Sequence, residues 1–357
     1  ATTRSATVDL GVRYSSRTIF RNPPPVSGTI ETVGTTDSGY NISIENAQPV
    51  DDNLAALWEQ NGATYNTGAI QYRPSYNEYQ EAPRTIYEHS TLYNKFDQQE
   101  TSLSITGQSL IRGDRLTLVT LNGSLSESRV DSASVDFEPL STQTRTVEIE
   151  PDDETEPIRL RLTTQLDRAE WGKIVGERDV TVVEQDGDTT TLDIALDARD
   201  SYRLQLARVG VGTGTEQSET RYLSRVGESD NVYTVEVRNE YNKPVRNEPV
   251  TISVDGTEQE VRTSDEDGQV SYNFDGSGEL TFSSGGAAKD TVSYTVTAEN
   301  PSSDEVLGPN VTSVSTVPSD TVVQGNQFDL ITTASSIGDG NPLRSGTPIQ
   351  SISWEAT

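Results

Sequence analysis

The chain has no cysteine and no methionine, a single histidine, and four lysines among its 357 residues. Without cysteine there are no disulfides, no thiolate metal sites and no thiol nucleophile. With His89 as the lone imidazole, His-based acid–base chemistry has one candidate centre. No run of 18 apolar residues occurs in the sequence, so no membrane-spanning helix is expected within it. Cations are scarce, 27 against 56 carboxylates, which argues against a nucleic-acid partner because that needs a basic footprint. The missing methionine leads to the expectation of a processed product or an ectodomain, with any signal peptide or anchor upstream of Ala1.

What the chain has in excess is acid. Its formal net charge is −29, and arginine almost displaces lysine, leaving only Lys95, Lys173, Lys243 and Lys289. At ordinary ionic strength such a surface repels itself and strains the compact state. In multimolar salt the Debye length falls to roughly 3 Å or less and the repulsion largely vanishes. The composition therefore points to a halophilic protein. Hydrophobic content is 32%, low enough to make disorder the first alternative. Regular alternation of apolar residues argues instead for several thin β cores.

Ala6, Val8, Leu10, Val12 and Tyr14 share one parity, which predicts a half-buried strand, ended by Asn22-Pro23-Pro24-Pro25 because proline cannot donate to a ladder. Further strands are predicted at 28–33, 40–45, 102–106, 115–124, 132–139, 144–150, 158–163, 178–185, 189–197 and 202–211. Two short helices interrupt them. One is capped by Asp51-Asp52-Asn53 and carries Leu54, Leu57 and Trp58; the other spans 167–175 with Leu166, Ala169 and Ile174 as its buried stripe. Residues 211–224, rich in Gly, Thr and Glu, read as a linker. Six or seven short strands over 225–299 describe an Ig-like β-sandwich. A second linker at 300–309 leads to a partial Ig-like domain at 310–357, truncated or completed by a partner, with strands at 311–317, 321–323, 327–333 and 349–356 and with Trp354 on its last strand. The expected fold is all-β, tandem Ig-like β-sandwiches, the first (1–210) larger and carrying both helices.

Two stretches resemble known families. Tyr233-Thr234-Val235-Glu236-Val237, Asn242-Lys243-Pro244-Val245, Pro249-Val250-Thr251-Ile252 and the turn at 263–268 followed by Gln269-Val270 make residues 232–298 similar to bacterial Ig-like domains of the invasin type. Residues 1–224 resemble an uncharacterised haloarchaeal family of pilin-like or membrane-anchored surface proteins. The carrying segments are LGVRYSSRTIFRNPPP (10–25), YRPSYNEYQEAPRTIYEHSTLYNKFD (72–97), LTLVTLNGSLS (116–126) and LARVGVGTG (206–214). That resemblance implies a surface location and no defined activity.

Few residues suggest chemistry. His89 lies beside Ser90, but no nucleophile-elbow motif accompanies the pair, and packing is the favoured role. Carboxylates are too many for any two to mark a glycosidase pair. Asp265, Asp267, Asp186 and Asp188 place hard oxygen donors on turns, as a structural Ca²⁺ prefers, although neither turn completes an EF-hand loop. Ca²⁺ is the one cofactor suggested. Gly210-Val211-Gly212-Thr213-Gly214 lacks the following helix and Lys-Ser/Thr of a phosphate loop. Asn41, Asn122 and Asn310 head glycosylation sequons. Six of the fourteen tyrosines fall between 65 and 96, half of them expected in the core and the remainder available for a protein or sugar interface.

The resulting expectation is a non-enzymatic extracellular protein, the subunit of a pilus-like filament that self-associates head to tail. Strand donation by residues 1–15 would join the copies. Ala6, Val8, Leu10, Val12, Tyr14, Tyr76 and Tyr79 are the candidate subunit contacts. The alternatives are a membrane-anchored adhesin or stalk that binds surface proteins or glycans, and a secreted hydrolase.

Overall fold

A computed structural model of the chain describes residues 3–11, 25–35, 39–61, 63–76, 81–142, 145–229, 231–284, 290–297, 310–317 and 329–335. The chain divides into two compact units, Ala1–Thr297 and Ala298–Thr357. In the second, the described part is one antiparallel hairpin, Asn310–Val317 with Asp329–Ser335. The predicted strands at 321–323 and 349–356, with Trp354, lie outside the described residues.

The fold is all-β with two short α-helices, as expected. In residues 3–211 three sheets share one core. The first runs Arg4–Asp9, Ser132–Thr142, Tyr202–Val211, Arg115–Asn122, Ile111–Arg112, with Val147–Glu150 also paired to Tyr202–Val211. Its central pair is parallel, setting Leu116 beside Leu204 and Leu118 beside Leu206. Parallel pairing needs a long crossover between the strands, and the chain between them supplies parts of the other two sheets. The second sheet runs Ser126–Arg129, Ser27–Val33, Ala69–Ser75, Arg84–Glu88, Thr91–Phe96, Thr101–Ser104. The third runs Val180–Asp186, Thr189–Ala195, Arg159–Thr164, Asn41–Glu45, Thr64–Asn66. Period-two alternation explains the burial: Ile86 and Tyr93 from the second sheet meet Leu160, Leu162, Leu192 and Ile194 from the third.

The unit that follows is a seven-stranded sandwich. Tyr222–Ser229, Val232–Arg238 and Gln269–Asn273 form one sheet; Thr257–Thr263, Pro249–Val254, Gly278–Ser284 and Thr291–Val296 form the other. Val235, Val237, Val250, Ile252, Leu280 and Phe282 fill the space between.

Several sequence expectations change. The 211–224 linker is not a free connection. Thr213 bridges to Ser124, Glu216 N donates to Asn122 Oδ1 at 2.8 Å, and Tyr222 already begins a strand. Tyr222 and Tyr241 are buried members of the core of the first region. Tyr65 and Tyr241 pack with ring centroids 5.6 Å apart, and the Tyr241 and Thr120 hydroxyls lie 2.9 Å apart. Arg145 donates to Glu236, Asn239 Nδ2 to Ser141 Oγ and Lys243 Nζ to Leu140 O across the same seam. The sandwich is thus welded to the sheets before it. Polar composition hid this, because the seam is made of tyrosines and hydrogen bonds rather than aliphatic runs.

The helices lie near their predicted places, at Ala55–Asn61 after a 3-10 turn at Asp52–Leu54, and at Arg168–Ile174. Asp51 caps the first turn by accepting from Asn53 N. The second buries Glu170 and Trp171 with flanking Leu166 and Val175, while Ala169 faces solvent. Glu170 is turned inward because Ser104 and Lys173 hold its carboxylate. The first strand is also a correction. Arg4–Asp9 is no free arm: it pairs antiparallel with Ser132–Thr142 of its own chain. Ala6 is exposed, Val8 half-buried and Leu10 fully buried, whereas Val12 and Tyr14 lie outside the described residues.

Candidate functional site

The aromatic region from 65 to 96, left without strands at the level of sequence, forms most of the second sheet. Its two faces do different things. The inner face carries a polar knot around Glu88, which is 0% exposed. Tyr93 Oη donates to its carboxylate at 2.8 Å, Gln165 N at 2.9 Å and Leu166 N at 3.2 Å, and the hydroxyls of Tyr40 and Thr164 donate as well. Thr164 Oγ1 in turn accepts from the Trp171 indole at 3.0 Å. Burial, and then the Glu88 charge, push the Tyr40 and Tyr93 hydroxyls well above the ordinary tyrosine range, so both stay protonated and able to donate.

His89 and Ser90 form the two-residue loop after Glu88, with φ of 44° and 60°. Both are left-handed, the conformation a tight hairpin requires, and both are strained for non-glycine residues. Tertiary bonds offset the strain. His89 Nε2 donates to Thr163 O at 2.8 Å, and Ser90 Oγ accepts from Ser109 N at 3.0 Å. The His89 ring lies between Tyr40 and Trp171, with centroids at 6.3 and 6.4 Å. The Ser90 hydroxyl and the imidazole therefore serve different partners. The arrangement locks a hairpin onto the third sheet; it does not align a nucleophile with a base.

The outer face of the same sheet is covered at one end, where Ile30, Ile70 and Tyr72 pack in a second core cluster, and carries exposed apolar side chains at the other. Tyr87 stands opposite Leu92, and Leu103 stands opposite Asn94, which places these side chains on one face. Leu103 is 57% exposed, Ile105 52% and Tyr87 37%. Tyr76 is exposed, Tyr72 is half-buried and donates to Leu10 O at 2.8 Å, and Tyr79 lies outside the described residues. Of the predicted tyrosine contacts, Tyr76 is the exposed aromatic among the described residues. The stripe of Tyr87, Leu103 and Ile105 was missed; the alternation of Leu103 and Ile105 within the predicted strand was its signal.

In each acidic turn one carboxylate has a partner within the protein. Asp265 Oδ1 accepts from Asp267 N at 3.0 Å and Gln269 N at 2.8 Å, a side-chain turn that closes on itself. Asp188 Oδ2 lies 3.3 Å from Arg84 Nη2, and its carbonyl accepts from Lys95 Nζ at 3.1 Å. Arg84 also grips Asp97 through Nε at 2.9 Å to each oxygen. Asp186 gives its carbonyl to Thr189 Oγ1. The structure does not bring Asp186 and Asp188 together with Asp265 and Asp267, and among the described residues no three acids or histidines gather as metal ligands. Of the sequon residues, Asn41 and Asn122 are half-buried in strands, and Asn310 begins the hairpin of the second unit.

No family model, no curated protein and no solved structure matches the chain. No helix among the described residues is long and apolar enough to cross a membrane.

Proposed function

We propose that the chain is a non-enzymatic structural protein of the extracellular surface of a halophilic archaeon, the subunit of a filament. The observation that carries this reading is the exposed pair Tyr87 and Leu103 on the outer face of the second sheet, with exposed Ile105 following that strand and bonded through its N–H to Leu92 O at 2.8 Å. Contiguous exposed apolar residues on an otherwise charged surface mark a protein contact. The welded seam supports the same reading, since a subunit that carries load gains from a sandwich that cannot swivel on its neighbour. Arginine supports it too. Arg84, Arg161 and Arg203 each engage an aspartate with two nitrogen–oxygen contacts, a geometry lysine cannot reproduce.

Donation of the first strand would take the form of an exchange, Arg4–Asp9 of one copy pairing with Ser132–Thr142 of another. Deleting residues 1–15 does not test this cleanly, because it also removes buried Leu10 from its own core. The better test is electron microscopy of the purified chain in roughly 2–4 M salt, where its charge is screened, alongside Leu103→Glu/Ile105→Glu. Filaments in the parent that are lost in the double variant support the reading. Filaments that survive the variant remove the stripe from the contact. Separate particles in the parent favour the anchored adhesin or stalk.

A further inference from the structure

A second feature lies on the seam and is independent of the filament reading. Between the first region and the sandwich is a cavity of about 580 Å³. It is lined by Ser218, Arg221, Lys243 and Arg246, with Glu248 and Glu266 as its carboxylates. Three of the chain's 27 cations, including one of its four lysines, line a single cavity of a molecule with a net charge of −29.

The groups there are unequally used. Arg221 is committed: Nε bonds Glu248 at 3.0 Å, and Nη1 bonds the carbonyls of Ser218 at 2.6 Å and Thr220 at 2.9 Å. That removes Glu248 as a partner for the other two cations. Lys243 spends one of its three protons on Leu140 O at 3.3 Å. Neither Lys243 nor Arg246 forms an ion pair among the described residues. Ser218 is 6% exposed, and its Oγ is buried with no hydrogen-bond partner. A buried hydroxyl left unpaired is destabilising, and in a cavity lined by two cations that form no ion pair it points to a missing acceptor. The walls are held firmly. Asn239 Oδ1 accepts from Tyr241 N and Lys243 N, and Gly268 packs so closely under Pro244, with φ of +78°, that a Cβ would meet Val237 O at 2.9 Å.

We propose that this cavity is a binding site for a polar ligand bearing an oxyanion, a carboxylate or a sulfate. Its volume is that of a small-molecule site, with room for a sugar unit around the anionic group. Arg246 and Lys243 would take the anion, and Ser218 would donate to it or to a neighbouring hydroxyl. At high salt the long-range attraction is screened, so selectivity must come from these hydrogen bonds.

Isothermal titration calorimetry of the full chain at constant sodium chloride tests the site with three titrants: sodium glucuronate, sodium sulfate and glucose. Saturable 1:1 binding of an oxyanion is expected, absent with glucose and weakened at least tenfold in Arg246→Glu. Arg246 is exposed and holds no structural bond, so this variant should keep the parent melting temperature. Ser218→Ala should weaken binding severalfold. Tighter binding of glucuronate than sulfate would assign a sugar acid; equal binding would assign a free oxyanion. No saturable heat with either anion, equal binding of glucose, or undiminished binding in Arg246→Glu overturns the proposal.

Discussion

Glu88 and Glu236 are the two most deeply buried carboxylates among the described residues, and the protein satisfies them in opposite ways. Glu88, 0% exposed, ends the strand before the His89-Ser90 loop and receives five neutral donors: three hydroxyls and two backbone N–H groups. Glu236, 1% exposed, sits at the seam and receives two arginines, Arg145 at 2.9 Å and Arg238 at 2.8 Å. Burying a carboxylate is costly unless it is hydrogen-bonded or paired. The Glu88 knot answers with fixed dipoles, which hold the groups around it in one geometry. The Glu236 cluster answers with opposite charge, and Arg145 is half-exposed. One is a lock inside a domain; the other joins two domains in a solvent where ions compete.

Removing each acceptor should break them differently. Glu88→Leu strands several buried donors at once and should cost about 4 kcal/mol or more, since each orphaned donor costs about 1–3 kcal/mol. Glu88→Gln should recover over half of that. Most of the donors converge on Oε1, which the amide keeps, and the Tyr40 hydroxyl can turn to accept. Glu236→Leu should cost about 3 kcal/mol, because it leaves the Arg238 guanidinium buried without its carboxylate. Glu236→Gln should recover little, since charge rather than acceptor geometry is what Arg238 loses. Urea unfolding in molar salt measures all four. A full recovery by Glu236→Gln would show that the two sites work alike.

The difference bears on what the sequence discloses. All-β architecture, the strands from 115 to 211 and the sandwich after 232 were legible, because Leu, Val and Ile alternate there with period two. Glu88 and Glu236 were not, since nothing separates them from the other 54 acids until strand parity places them inward. The seam was concealed for a related reason. Tyr222 lies in the stretch that reads as a linker, and Asn239 and Tyr241 lie between the segments 233–237 and 242–245, outside any predicted strand; the burial of the last two depends on contacts with residues 65, 120 and 141. The turn aspartates show what spacing alone leaves out. Spacing suggested an ion, and the fold gives two of those oxygens other partners: a side-chain turn takes Asp265 Oδ1 and a distant arginine takes Asp188 Oδ2.

The seam's share of alkaline stability can be read from one tyrosine. Burial, then the Glu240 charge, push the Tyr241 hydroxyl up to about 12 from the ordinary 10.0. A folded-state value above the unfolded one means the stabilisation is complete below pH 10 and is lost as pH rises through 10 towards 12. The loss should approach about 2 kcal/mol. Tyr241→Phe keeps the ring against Tyr65, gives up the bond to Thr120 and should remove its own share of the alkaline loss, leaving the shares of Tyr40, Tyr93 and Tyr222, whose hydroxyls are raised as well. Phenolate absorbance recorded with near-ultraviolet circular dichroism follows ionisation and packing together. A step that persists unchanged in Tyr241→Phe would place the alkaline weakness elsewhere.

The smallest expected effect separates the two ways of burying charge most directly. Arg145 reaches Glu236 from the solvent side, and Arg238 remains to hold the carboxylate when it is removed. Arg145→Gln should therefore cost under about 1 kcal/mol, and the cost should shrink as salt rises from roughly 0.5 to 3 M. Glu88→Leu should cost the same across that range, because its partners are neutral and screened by nothing. Parallel salt titrations of the two variants carry the comparison. If the Arg145→Gln deficit stays constant with salt, its bond acts as a geometric tie across the seam, and the interface is held by directional hydrogen bonds on both sides.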